Sequence, residues 1–401
     1  MTASHDTMNL KNKTILVLSP QAWGTMYVSK HHYAVELAKR GNEVYFLNPP
    51  SEGHTSDRRV AVTPLPDAEG LFLVTHRLYF PYNLKFHAPG LFHRLMGPQI
   101  AAIIRALGKP PDIVWSFDLN NTYPLASFGK NCFKIFHPVD EPLNKAALTA
   151  GKGADMVFSV TREILDKYRT LQVPRHFINH GVAGVFLPTA ADQLARGLDP
   201  ADDRAREGIK VGFSGNLLRK DIDRAALLAI IRAHPSVSFH CWGSYSSRQA
   251  NMGGDGDTDT LSFIDDLRSC ANVTLHGPVP STQLARAIHA MDAFLICYDV
   301  KKDQSGGTNY HKVMEYLCTG NVIIANNITT YHDHPGLIQM IENRESNAEL
   351  PPLFARVIGN LAEYNSDTLR SRRMDFAAAN TYARQIEKIE KLITSVYELE
   401  R

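Results

Sequence analysis

Short β-branched and aromatic runs recur along the chain, and between them apolar residues return every three or four positions. A short unbroken apolar run is the pattern of a strand covered on both faces, and the intervening period is that of an amphipathic helix. The runs predict strands over Thr14–Leu18, Glu43–Leu47, Ile113–Phe117, Phe133–Phe136, Met156–Val160, Ile209–Phe213, Val237–Cys241, Val273–Leu275, Ala293–Cys297 and Val322–Ala325. Helices are predicted near 30–40, 98–108, 162–169, 223–233, 282–290 and 311–318. Strands and helices that alternate in this way build parallel α/β layers. The strands form two groups, parted by the polar stretch PTAADQLARGLDPADDRAREG at 188–208. The expected organisation is α/β, with two doubly wound Rossmann-like domains over 1–188 and 209–376 and a linker over 189–208. Ligands of such sheets bind outside the carboxyl ends of the strands, so two domains facing across a cleft would offer two half-sites. From 377 to 401 the spacing of Ile386, Ile389, Ile393 and Val396 predicts one continuous helix that packs back against the body.

Composition narrows the class. The 401 residues are 44% apolar and 21% charged, with 26 glycines and 22 prolines, which suits a globular chain with ample core. Lysine and arginine number 43 against 41 acids, a net charge of +2 that argues against a nucleic-acid partner held by bulk charge. No stretch approaches the roughly 18 apolar residues of a membrane span, and the opening Met1-Thr2-Ala3-Ser4-His5-Asp6 is too polar for a signal peptide, so a cytoplasmic protein is expected. The five cysteines lie at least 21 residues apart and form no Cys-x-x-Cys pair; they read as reduced thiols.

Two turns carry candidate chemistry. The first strand runs into Ser19-Pro20-Gln21-Ala22-Trp23-Gly24, where dinucleotide enzymes carry Gly-x-Gly-x-x-Gly; that fingerprint is absent, yet Gly24 can bring backbone amides to an anionic or hydroxylated ligand. The second turn is SGGTNYHKVMEYLCTG at 305–320, ahead of the strand Val322–Ala325. Two glycines before a helix leave amides bare for phosphate oxygens, and Lys312 adds a cation in the first turn. Glu315, one turn on, offers two acceptor oxygens that match a ribose diol. A plain Lys/Glu surface pair is the alternative for these two residues.

KVMEYLCTGNVIIA resembles the signature "K-x-x-E-Y-L-A-x-G-x-P-V-V" of nucleotide-sugar-dependent glycosyltransferases of the two-Rossmann-domain B fold (GT-B), in particular the retaining family-four group. VGFSGNLLRKDIDRAALLAIIRAHPSVSFHCWG is similar to the opening of that family's donor domain, and NVTLHGPVPSTQLARAIHAMDAFLICYD to its next two strands. DIVWSFD, KIFHPVDE, ADMVFSVTREI and INHGVAGVF resemble the acceptor domain, and MDFAAANTYARQIEKIEKLI the closing helix that crosses back to it.

The resemblance implies transfer of a sugar from a nucleotide diphosphate sugar to a hydroxyl acceptor, with retention and without metal or other cofactor. Glu315 would hold the ribose, and Gly306, Gly307 and Thr308 the diphosphate and donor sugar, with Lys312, Gly215, Trp242 and Gly243 also at the donor. Arg219 or Lys220 would stabilise the leaving diphosphate, His137 and Asp140 would act at the donor sugar and acceptor hydroxyl, and Trp23 and Gly24 would meet the acceptor. The chain departs from the family where the first acid of its E-x7-E pattern falls at Gly307 and where Gly215-Asn216 replaces its Gly-Arg turn. A sugar-nucleotide epimerase of the same fold, or a non-catalytic nucleotide- or glycan-binding member, stays open beside the transferase.

Gly70–Pro111 contains no acid but holds Arg77, Lys85, Arg94, Arg105 and Lys109 among Phe72, Tyr79, Phe80, Tyr82, Phe86 and Phe92. Peripheral contact of 70–111 with the inner face of a membrane, or a lipid-linked or glycan acceptor, is the expectation set against a buried loop-helix unit. ANMGGDGDTDT at 250–260 reads as a loop; Asp255, Asp257 and Asp259 have calcium-loop spacing, but Thr260 stands where that loop needs glycine. His31-His32 and His332-Asp333-His334 lack zinc-site spacing, so no metal is expected.

Overall fold

The computed structural model describes residues 9–24, 27–54, 59–188, 208–246 and 257–399. It divides into two compact units, one of residues 1–181 with 382–401 and the other of 182–381. The division falls at Gly181, ahead of the expected 189–208 linker, of which 189–207 lie outside the described residues.

In the first unit the described strands are β1 (Thr14–Leu18), β2 (Glu43–Leu47), β3 (Val60–Pro64), β4 (Leu71–His76), β5 (Ile113–Ser116), β6 (Phe133–Phe136), β7 (Met156–Ser159) and β8 (Arg175–Phe177). They form one sheet in the order β3-β4-β2-β1-β5-β6-β7-β8, parallel except where β3 pairs antiparallel with β4. Alternate residues separate into two cores: Ile15 and Val17 belong to one, Leu16 and Leu18 to the other. This period of two is what a sheet layered on both faces demands. Helix Ser29–Lys39 and the closing helix Tyr382–Leu399 cover one face, where Ile386, Ile389 and Ile393 are fully buried, each contributing about 1.5–3 kcal/mol of apolar burial. Helix Pro89–Ala106 covers the other face through Phe92, Met96, Ile100 and Ile103.

The second unit carries β9 (Ile209–Ser214), β10 (Val237–Trp242), β11 (Val273–Gly277), β12 (Ala293–Ile296), β13 (Val322–Ala325) and β14 (Gln339–Met340). Their order is β11-β10-β9-β12-β13-β14, all parallel. The chain therefore turns back at β9/β12 here and at β1/β5 in the first unit, the switch points where doubly wound sheets open a crevice at the carboxyl ends of the strands.

Four expectations need correction. The helix expected near 98–108 starts at Pro89, and Pro98 sits inside it; Pro89 occupies the first-turn position that proline favours. The closing segment is not one helix from 377, because Asp367–Ala378 ends before Tyr382–Leu399 begins. Strands β3, β4, β8 and β14 and helix Leu350–Gly359 were not foreseen. Residues 257–260, expected in a loop, begin helix Thr258–Ser269, with Asp257 capping its N-terminus; Asp255 lies outside the described residues.

Candidate functional site

At the β9/β12 switch point β9 ends in Ser214, followed by Gly215, and β12 is followed by Cys297 and Tyr298. The two segments beyond the sheet are joined by a hydrogen bond from the Asp299 amide to the Asp221 carbonyl at 2.8 Å. Lys312 bridges the strands: its ammonium donates to the Ser214 carbonyl and to the Tyr298 hydroxyl, 2.5 Å each. Lys312 is only 6% exposed, and burial pulls its pKa down. Gly215, with φ +146°, leaves the room this lysine occupies, since a β-carbon there would stand 2.7 Å from Nζ. Gly243 at the end of β10 is equally constrained, as its β-carbon would fall 2.0 Å from the Gly215 carbonyl oxygen. Trp242 is buried with its indole stacked on His276 at 4.8 Å.

The second cation is Arg219. Its guanidinium forks onto Asp221, with Nε at 2.9 and 3.0 Å from the two carboxylate oxygens, lies over the Tyr298 ring at 5.9 Å, and is 3.7 Å from Asp303. The bond to Asp221 raises its pKa further and holds it charged. Lys220 turns elsewhere, to Asp257 at 2.8 Å. The structure thus gathers Arg219, Lys312 and Tyr298, and leaves Lys220 with a helix cap.

The 305–308 turn corrects the idea of bare amides. Gly306 donates to the Asp303 carbonyl at 2.8 Å, Gly307 to Asp303 Oδ2 at 3.1 Å and Thr308 to the Ser305 carbonyl at 3.2 Å. Gly306 and Gly307 are both left-handed, with φ of +59° and +68°. Asp303, which sequence reasoning passed over, is the hub: it also accepts from Ser305 Oγ at 2.5 Å and from the Tyr310 hydroxyl at 2.7 Å. An acid three residues ahead of a glycine pair was the available signal for it. Helix Lys312–Leu317 spans six residues. Glu315 on it is half-buried and makes no hydrogen bond to the described residues; burial, partly opposed by Lys312, raises its pKa to about 7.

In the first unit, His137 follows β6 and is fully buried. The rings of Tyr33, Trp115, Phe117 and Phe158 enclose it at 5.1–6.1 Å. Its Nδ1 accepts the Trp115 indole N–H at 3.3 Å, and burial lowers its pKa to about 3. A neutral, fully buried imidazole is a poor acid or base near neutral pH, and the ring expected to meet the donor sugar is enclosed on this side by four aromatic rings. Asp140 is exposed. Trp23 packs edge-on against Phe46 at 4.8 Å, and its amide donates to Asn48 at 2.8 Å. Gly24 has open space at its β-carbon, so nothing local requires glycine there.

No protein-family model matches this chain, and no curated protein matches it. Solved structures do. A sucrose-phosphate synthase from Thermosynechococcus elongatus superposes with a TM-score of 0.65 at 14% identity, covering 96% of this chain and 100% of that one. An α,α-trehalose 6-phosphate synthase from Burkholderia multivorans gives 0.68 at 12%, covering 97% and 100%. HepE of Anabaena, solved with UDP and glucose, gives 0.66 at 13%, covering 96% and 100%. The chain shares their fold. Both sheets, with their switch points, fall within a match that spans nearly the whole chain, and at these identities the likeness concerns architecture alone. Among the described residues no helix is long and apolar enough to cross a membrane, and no group of three or more His, Cys, Asp or Glu is placed to hold a metal.

Proposed function

We propose that this protein is a glycosyltransferase that moves a sugar from a nucleoside diphosphate sugar to a hydroxyl acceptor, with retention at the anomeric carbon. The observation that carries the reading is the pair of cations at the β9/β12 switch point, Arg219 and Lys312, both at the Tyr298 ring, 5.9 and 4.8 Å from its centre. A diphosphate leaving group develops charge as the glycosidic bond breaks, and preorganised cations there lower the barrier without a strong protein base. Arg219, 44% exposed at its side chain, can reach a ligand, whereas the buried Lys312 acts through its field. In this reading Glu315, with both oxygens unspent, accepts the ribose hydroxyls. The departing diphosphate oxygen takes the acceptor proton on the face it leaves, which gives retention. HepE, a structure of the same fold, carries UDP and glucose, which supports a nucleotide sugar as the donor.

The acceptor side belongs to the first unit, with Asp140 free to orient a hydroxyl. Membrane contact through 70–111 is supported by side chains of one segment: Phe86 is 72%, Leu91 48% and Tyr82 38% exposed beside Lys85 and Arg94. Apolar tips with cations suit an anionic lipid surface, and a protein held at the inner membrane face through them. Sedimentation with phosphatidylglycerol but not phosphatidylcholine vesicles, lost in Phe86→Ser, is the expected result.

The transferase reading is tested by calorimetry with UDP, GDP, dTDP and their sugars, followed by nucleotide release with and without candidate acceptors. Selective binding of one nucleoside diphosphate and acceptor-dependent release are expected. Turnover of a nucleotide sugar with no acceptor would favour an epimerase, and no binding by the folded chain would exclude both.

A further inference from the structure

β11 is an edge of the second sheet, and its pairing with β10 slips once. Phe239, His240 and Cys241 face Val273, Thr274 and Leu275 in step, but Trp242 faces Gly277, which leaves His276 as an extra residue on β11. Bulges are rare between parallel strands, and at a sheet edge they re-aim a side chain. Here the re-aimed side chain is an imidazole that meets another. His276 Nε2 stands 3.0 Å from Nδ1 of His240, which lies 36 positions earlier on the neighbouring strand.

The two rings have a defined setting. Their planes differ by 12° with centres 5.3 Å apart, and the Trp242 indole lies nearly parallel to both, 9° from His276 at 4.8 Å and 20° from His240 at 6.0 Å. Trp242 is buried, so a rigid neighbour orients the imidazoles, whereas His276 is exposed and His240 half-buried. Burial lowers the pKa of both histidines, and at His240 the nearby His276 and Lys210 lower it further. Both rings are therefore neutral near pH 7, the form in which histidine binds a metal.

With its proton on the far nitrogen, His240 Nε2 or His276 Nδ1, each ring turns a lone pair toward the other. The spacing then matches a shared ion, because two imidazoles bound to one zinc at about 2.0–2.1 Å each hold their nitrogens roughly 3 Å apart. Imidazole suits Zn²⁺, Ni²⁺ and Cu²⁺, while Mg²⁺ and Ca²⁺ take oxygen ligands.

We infer that His240 and His276 form a two-histidine site for a divalent transition-metal ion, with water in the remaining coordination positions. The ion exchanges the hydrogen bond between the rings for two metal–nitrogen bonds and ties the edge strand to β10 across the bulge. No spacing in the sequence announces the pair, since its members meet only through the strand pairing. The site does not depend on the transferase reading.

Calorimetric titration of Zn²⁺ into the full chain counts the sites in wild type, His276→Gln, His240→Gln and His334→Gln, the last a control for the His332/His334 pair. His276 is exposed, so His276→Gln should keep the native circular dichroism spectrum and is the decisive variant; His240→Gln repeats the test from the other strand. Wild type is expected to bind one equivalent that weakens tenfold or more in each of these two variants and is retained in His334→Gln. Zn²⁺ should also raise the melting temperature of wild type more than that of His276→Gln. Cu²⁺, which quenches a nearby indole, gives a local readout: saturable loss of tryptophan emission in wild type, absent in Trp242→Phe and weakened in His276→Gln. No saturable Zn²⁺ binding by wild type overturns the inference. So does an affinity unchanged in His276→Gln, or an equivalent lost in His334→Gln instead, either of which assigns the ion to other side chains and leaves the His240–His276 contact as a hydrogen bond between strands.

Discussion

Asp303 accepts the amide of Gly307, four residues later, at 3.1 Å. Gly307 stands where the resembling family places the first acid of its E-x7-E pattern, and the backbone explains why no acid is found there. Its φ is +68°, and a β-carbon would lie 2.9 Å from the Asn327 carbonyl oxygen. A left-handed non-glycine residue together with that overlap costs about 3 kcal/mol. Gly307→Glu, which restores the pattern on paper, should therefore lose about that much stability in urea titration. A variant as stable as wild type would show that the turn can take another path.

The same turn depends on Asp303. Asp303→Asn can keep a carbonyl oxygen at the Oδ2 position, which accepts Ser305 Oγ, the Gly307 amide and the Tyr310 hydroxyl. Its amide group then replaces Oδ1, which accepts the Ser305 amide at 3.2 Å and faces Arg219 at 3.7 Å, so that anchor of Arg219 is lost. The expected outcome is a fall in donor affinity of about tenfold, the size of one lost charge-assisted contact, while the circular dichroism spectrum stays native. Equal affinity for the nucleotide in Asp303→Asn would separate the turn from the donor.

Arg219 and Lys220 are neighbours with opposite fates. Arg219 lies over Tyr298 between two carboxylates, whereas Lys220 is 57% exposed and paired with the helix cap Asp257. Arg219→Ala should weaken nucleoside diphosphate binding about tenfold or more, the loss of one charge-assisted contact. Lys220→Ala should leave binding unchanged and cost less than about 1 kcal/mol of stability, as exposed pairs do. Calorimetric titration of UDP into both variants checks the pair, and the reverse ranking would transfer the role to Lys220.

Much of this architecture was legible because buried parallel strands are written as unbroken apolar runs. Thr14–Leu18, Glu43–Leu47, Phe133–Phe136 and Val322–Ala325 begin and end where the runs do. What escaped was of another kind. β3 is a largely uncovered edge strand ending in Pro64, and β8 has three residues, so neither carries a run. At the candidate site the local pattern drew attention to Lys312, Glu315 and the glycine pair, whereas Ser214, Tyr298 and Asp303 join them only through the β9/β12 crossover. The surroundings of His137 escaped for a related reason: its place at a strand end was legible, but the four rings around it come from β5 and the residue after it, β7 and the helix after β1.

That enclosure has a testable consequence. With its pKa near 3, His137 stays neutral throughout the usual assay range. The pH profile of turnover should therefore carry no limb that disappears in His137→Phe, and activity should remain within a few-fold of wild type. The variant leaves the Trp115 indole without its acceptor, a loss of about 1–3 kcal/mol in stability. A hundredfold fall in kcat with intact folding would return His137 to the chemistry.

Glu315 should trade stability for binding. Burial lifts its pKa from 4.5 to about 7, so between those values the native chain holds a proton that the unfolded chain has released. Stability contributed by this group is therefore complete below about pH 4.5 and falls as pH rises through 7. Glu315→Gln removes the cost of ionisation and should be the more stable protein at pH 8 by about 3 kcal/mol, with the gain gone at pH 4. The same substitution should weaken nucleotide binding at pH 8, because a ribose diol loses an ionised acceptor. Urea titrations at the two pH values and calorimetry at the higher one read both effects. A gain over wild type no larger at pH 8 than at pH 4 would mean that the carboxyl is already solvated, and unchanged nucleotide affinity would take Glu315 out of the site.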